Sequence, residues 1–278
     1  MKIAVCFSGE PRTWKAATES IKAFYSGDHE FYLFGHIWSN NTPGNHIIDV
    51  VPDALDPILL EKELRNAFEF TTLNIEPHKI SPNIDNHKQH EFGETITGKQ
   101  HVMNIKIPIT WCSPFYSAMM SNHYKYAYEQ ANDMSFDLVI RARLDVCYTP
   151  GTTINSYLPL SVLPHALYCN LSSFKREYMS PAINDTFYFG SSHNMDIVDS
   201  FYRTYHSGEF FKMIHADDYF DAAYKSVGPG VFLYKWLTIK NILPVHSNFH
   251  QMPVIRKTAE DLIWPHDFNK IMEAYVSW

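Results

Sequence analysis

Arg141, Arg143 and Asp145 recur at every second position where an apolar run, Leu138-Val139-Ile140, gives way to polar chain. Alternate residues of a strand point the same way, so the three are expected on one face. Two guanidinium groups and a carboxylate at the end of a buried strand are costly unless they pair or meet a ligand. The chemistry open to them is anion binding by the arginines and cation binding by Asp145. Two readings stand together at this point: a ligand site, and an Arg–Asp ion pair that ties off the strand. Asp137 is a further candidate partner for Arg141, and Asp145, beyond the strand, is expected outside the deep core.

A second such stretch is Ser8-Gly9-Glu10-Pro11-Arg12, which interrupts the apolar run Ile3-Ala4-Val5-Cys6-Phe7. Gly9 lets the backbone approach a ligand closely, a following helix N-terminus favours an anion, and Arg12 adds a fork of donors. The glycine spacing of a dinucleotide site is absent and no Gly-Lys-Ser/Thr follows, so neither of those phosphate loops is present. A plain strand-to-helix turn explains the stretch equally well. The 15 histidines raise the question of a metal, but none shows zinc-ligand spacing. His78, His87 and His90 are expected on an exposed polar loop, Pro77 to Gln100, of a length suited to a mobile lid.

The elements that must position these groups alternate strand and helix. Thr13 can cap a helix whose Trp14, Ala17, Ile21 and Phe24 share a face. Phe31–Phe34 with Ile37-Trp38 supplies a second strand. Asp56-Pro57 opens a helix carrying Ile58, Leu59, Leu64, Ala67 and Phe68 inward, and a strand follows near Thr72–Ile75. Ser113-Pro114 is expected to start a helix running to about Asn132, with Tyr116, Met120, Tyr124, Ala127 and Ala131 as its buried stripe. After Pro150-Gly151 the pattern predicts strands at 166–169 and 184–190, then a helix over 194–205 that Gly208 ends. Further helices are expected after Asp217-Asp218 and over 232–240, with strand pieces at 243–246 and 254–256. These describe a single domain over 1–278, with a first half (1–149) and a second half (150–278).

Composition sets the outer bounds. A chain of 278 residues, 45% hydrophobic and 19% charged, is globular. Its net charge of -7 argues against general nucleic-acid binding. Four scattered cysteines without metal-ligand spacing read as reduced, buried thiols of a cytoplasmic protein. No leader-like or membrane-spanning apolar run is expected.

Five motifs occur in order: Ser8-Gly9-x-x-Arg12-Thr13, Phe34-x-His36-x-Trp38, Tyr116-Ser117, Asp137-Leu-Val-Ile-Arg141-x-Arg143-x-Asp145 and Asp185-x-Phe187-x-Phe189-Gly190-Ser191. Together they resemble GT-A-fold glycosyltransferases of large DNA viruses, phages and microbial polysaccharide clusters. The resemblance implies an α/β fold with a Rossmann-related, central mixed but mainly parallel sheet flanked by helices. It also implies a nucleotide-sugar donor bound by the first half, a glycan or saccharide acceptor on the second, and a Mn²⁺ or Mg²⁺ ion. On that resemblance Asp145 takes the place of the last carboxylate of the family's Asp-x-Asp metal motif, while Arg143 replaces the first. Ser8, Gly9, Arg12, Arg141 and Arg143 are the donor-binding candidates. A general base for the acceptor hydroxyl would be Asp185, with Asp217 and Asp218 behind it. A sugar-nucleotide nucleotidyltransferase and a non-catalytic glycan- or nucleotide-binding module are the competing functions.

Overall fold

The computed structural model describes residues 1–12, 14–39, 56–77, 88–91, 102–105, 109–159, 161–172, 182–213 and 229–247. The first unit is β1 (Lys2–Gly9), α1 (Trp14–Phe24) and β2 (Glu30–Trp38). The apolar run of β1 and the helical spacing of α1 hold as expected, and Trp14, Ala17, Ile21 and Phe24 are buried. Next come α2 (Pro57–Ala67) and β3 (Phe70–Glu76), with the Asp56 side chain accepting the Ile58 N–H at the cap. Ile58 and Leu59 are exposed, so the buried face of α2 is Leu60 and Leu64. Two short strands, β4 (Lys88–Glu91) and β5 (Val102–Ile105), pair antiparallel, the first within the Pro77 to Gln100 stretch expected as a loop. His78 and His87 lie outside the described residues, and so does the His90 side chain.

The long helix α3 (Ile109–Asn132) contains Pro114 rather than starting at it, and leads into β6 (Leu138–Ala142). The second half adds β7 (Ala166–Ser172), β8 (Ala182–Gly190), α4 (Ser192–Asp199), α5 (Phe201–Ser207), α6 (Glu209–Met213), α7 (Pro229–Ile239) and β9 (Leu243–His246). The single helix expected over 194–205 is broken at Ser200, and Gly208, at φ 86°, closes α5 in the left-handed conformation. The helix placed after Asp217-Asp218 and the strand piece at 254–256 lie outside the described residues.

Seven strands from both halves form one sheet, ordered β3-β2-β1-β6-β8-β7-β9. Every pairing is parallel except those of β8, which runs against β6 and β7. This is the mixed, mainly parallel α/β sheet that the resemblance implied. One face carries Ile3, Val5, Phe7, Leu138 and Ile140 against α1 and α2. The other carries Ala4, Cys6, Phe34, Val139 and Tyr188 against α3, α4, α5 and α7. Burial on both faces explains the near-continuous apolar runs of β1 and β6.

The α3 face against the sheet is not the aromatic stripe expected. Ala127 and Ala131 are exposed, and Tyr116, Met120 and Tyr124 only half-buried. Phe115, Ser117, Ala118, Ser121, Asn122, Lys125 and Glu129 point inward instead. Lys125 is sealed from solvent and donates to Glu129 Oε2 at 3.0 Å, Ser192 Oγ at 2.7 Å and Asp196 Oδ1 at 2.7 Å. Glu129 also accepts the Phe136 N–H at 2.8 Å, tying α3 and α4 to the entrance of β6. Buried charges of this kind persist because each is paired and hydrogen-bonded. No helix among the described residues is long and apolar enough to cross a membrane.

Candidate functional site

From β1 the chain steps outward to β2 and β3, then returns through α3 to β6 on the other side of β1. The strand order therefore reverses between β1 and β6. In open α/β sheets the crevice beyond the strand ends at such a switch point is where ligands bind. The residues following these two strands are Gly9–Arg12 and Arg143–Asp145, the two stretches that carried chemistry in the sequence.

At the first turn Gly9 sits at φ 107°, a conformation L side chains rarely adopt, and a Cβ placed there would meet nothing within 4 Å. The turn thus opens onto space. Arg12 follows at φ 40°, also left-handed and strained for a non-glycine residue. Its Nε donates to Glu10 Oε2 at 2.9 Å and its Nη1 to Asp145 Oδ2 at 3.3 Å. From the other loop, Arg143 grips the same carboxylate with two donors, Nε to Oδ1 at 2.8 Å and Nη2 to Oδ2 at 2.6 Å. The Asp145 side chain is 0% exposed, against 14% for Arg143 and 33% for Arg12. Burial alone would push the Asp145 carboxyl up, but Arg143, by charge and hydrogen bond, and then Arg12 outweigh it and hold it below the usual value.

This geometry corrects three expectations. Asp145 is buried deep rather than lying at the margin of the core. Arg141 does not share its site, because β6 ends at Ala142 and the alternation stops there. Asp137 does not pair with Arg141 but accepts the Lys2 N–H at 2.8 Å. Arg141 is buried beside Tyr188, its guanidinium carbon 5.8 Å from the ring centroid, with Nε and Nη1 lacking hydrogen-bond partners. The acid that senses it is Asp199, whose Oδ1 accepts from the Tyr188 hydroxyl at 3.3 Å. Burial raises the Asp199 carboxyl to about 7 even though Arg141 pulls it down. Ser8 is also buried, and its Oγ has no hydrogen-bond partner.

A divalent cation of the kind implied by the resemblance does not fit the described residues around Asp145. Both oxygens of Asp145 are held by guanidinium groups, and two positive charges stand where a cation would have to enter. No group of three or more His, Cys, Asp or Glu side chains suited to a metal occurs among the described residues. The backbone of Asp185 lies in β8, three residues before Tyr188, which pairs with Arg141; antiparallel pairing puts that position toward the mouth of the sheet. The Asp185 side chain lies outside the described residues, and so do Asp217 and Asp218 entirely.

No family profile and no curated protein matches the sequence. Among solved structures, a glycosyltransferase involved in glycosylation of the major capsid of PBCV-1 aligns over 83% of this chain and 77% of its own, at 9% identity and a TM-score of 0.34. The apo-form glycosyltransferase GlyE of Streptococcus pneumoniae TIGR4 aligns over 88% of this chain and 45% of its own, at 10% identity and a TM-score of 0.39.

Periodicity did not reveal a second polar cluster behind the Gly9 turn. Ser117 Oγ accepts the Gly9 N–H at 2.8 Å and donates to the His36 carbonyl at 2.7 Å. The His36 ring bridges Ser117 Oγ, 3.0 Å from Nδ1, and Glu76 Oε1, 2.8 Å from Nε2. Burial lowers the His36 pKa, against the opposing pull of Glu76. Tyr116 stacks on Trp38 and meets His36 edge-on. The motif residues His36, Trp38, Tyr116 and Ser117 thus form one assembly whose inner end fixes the Gly9 backbone. Their spacing in pairs was the sequence signal; only the fold shows that the pairs meet.

Proposed function

We propose that the chain is a nucleotide-sugar-dependent glycosyltransferase whose donor diphosphate lies at the switch point between β1 and β6. One observation carries this reading: the two loops flanking that point each bring an arginine to an open glycine turn. Gly9 provides the close backbone approach, and Arg12 and Arg143 provide charge-assisted donors for an anionic leaving group. Asp145 holds both guanidinium groups in place. Charge that develops on the departing nucleoside diphosphate is met by donors already oriented, so little reorganisation is needed in the transition state. The second half would supply the glycan acceptor, with Asp185 at the mouth end of β8 as the general base and Asp217 or Asp218 as alternatives.

A binding module of the same fold is the second reading, supported by the replacement of a family carboxylate by Arg143. A nucleotidyltransferase is disfavoured by the single glycine of the first turn, too few to cradle a triphosphate. Incubation with a panel of UDP-, GDP- and CMP-sugars and oligosaccharide acceptors, with release of free nucleotide as the readout, separates these. The transferase reading requires acceptor-dependent release of nucleotide. Binding without turnover supports the module, and a panel silent in both binding and release contradicts both.

A further inference from the structure

We infer that the donor site neutralises a diphosphate with guanidinium groups in place of a divalent cation, Asp145 serving as their internal counter-ion. The inference rests on the transferase reading for the identity of its ligand. Its basis is the order of exposure within one cluster: Arg12 is 33% exposed, Arg143 14% and Asp145 0%. A ligand arriving from solvent therefore meets the guanidinium groups first and does not reach the carboxylate. A cation would have to pass two positive charges to find an acid whose oxygens are already taken. An anion meets guanidinium donors ahead of Asp145, the Glu10 carboxylate being held by Arg12.

The charges explain why the cluster holds together before any ligand comes. Arg12 and Arg143 are balanced by Glu10 and Asp145, with contacts of 2.6 to 3.3 Å. The two-point grip of Arg143 on Asp145 takes its Nε and Nη2 and fixes the plane of the guanidinium, a group whose planar array of donors suits phosphate oxygens. Arg12 is fixed separately, by Glu10 and by a left-handed backbone. The two arginines come from different loops, one on each side of the switch point, so a diphosphate spanning it can touch both. Pyrophosphate oxygens are strong, charged acceptors of the kind guanidinium donors favour.

The test is titration calorimetry of the full chain with inorganic pyrophosphate, UDP and GDP, each in EDTA and again with excess Mg²⁺ or Mn²⁺. Binding in EDTA that the metal does not strengthen more than a few-fold is the expected result. Arg143→Lys, which keeps the charge but loses the fork, should weaken that binding on the order of 10-fold or more, and Arg12→Lys likewise. Thermal melts of each variant establish that it is folded. Binding that appears only with metal overturns the guanidinium site while leaving the transferase reading intact. Metal-free binding indifferent to both substitutions places the anion elsewhere and also overturns it. No binding of any nucleotide in either buffer removes this inference together with the reading on which it rests.

Discussion

Asp145→Ala discriminates between a buried counter-ion and a metal ligand through stability alone, with no substrate required. The substitution removes a fully buried carboxylate and leaves Arg143 and Arg12 facing one another without an anion between them. Breaking a buried ion pair from one side costs about 3–5 kcal/mol. Both arginines retain some solvent, which screens the orphaned charge, so the lower end of about 3 kcal/mol applies. At roughly 2–4 °C per kcal/mol, a chain of this size should melt about 6–12 °C lower at pH 7. The effect has a defined pH window. The folded carboxyl titrates below its ordinary value of 3.8, so its contribution is present above that value and is lost as pH falls through the lower folded pKa. The gap between wild type and variant in calorimetric melts should therefore be constant near neutrality and shrink in acid. A metal-free melt at pH 7 that is unchanged, or higher in the variant, refutes the counter-ion role; an empty metal ligand would give that result.

Four other outcomes follow from the geometry. Lys125→Met should cost about 3 kcal/mol in urea unfolding, because buried Glu129 loses its cation, while Asp196, partly open to solvent, is screened. Asp199→Asn should change the pH dependence of stability: the native carboxyl is raised to about 7, so its contribution is full below 3.8 and lost as pH rises through 7, and the Asn variant should lack that decline. Ser117→Ala should leave the Gly9 N–H without its partner, costing about 1–3 kcal/mol in chemical denaturation and weakening nucleotide affinity. Gly230→Ala should lower the melting temperature by several degrees, since a Cβ there would collide with the Ile183 backbone where α7 crosses β8.

The parts of this fold that could be read from sequence are those where one periodicity has one explanation. β1, its glycine turn and α1 satisfy strand, turn and helix rules one after another, and Asp56-Pro57 marks a helix start by cap chemistry alone. α3 could not be read this way, because its inward face is polar. Lys125 and Glu129, four apart, look like a solvated surface pair until Ser192 and Asp196 of α4 are seen to close over them. Ile58 and Leu59 misled in the opposite sense, as apolar side chains that the fold leaves in water. At the candidate site, the spacing drew attention to Arg141, Arg143 and Asp145 but not to how they are grouped. Arg141, Arg143 and Asp145 share a spacing, yet the strand ends between the first and the second. The turn that follows carries Asp145 inward onto Arg12, from a loop more than a hundred residues earlier in the chain.

The central claim is that a nucleoside diphosphate binds between the ends of β1 and β6. A crystal structure of the chain grown with UDP or GDP tests it most directly. The diphosphate oxygens should lie within hydrogen-bond distance of Arg12 and Arg143, against the open side of Gly9, with Asp145 still in the grip of Arg143. A nucleotide bound at another edge of the sheet, with the Gly9 turn and both arginines untouched, contradicts it.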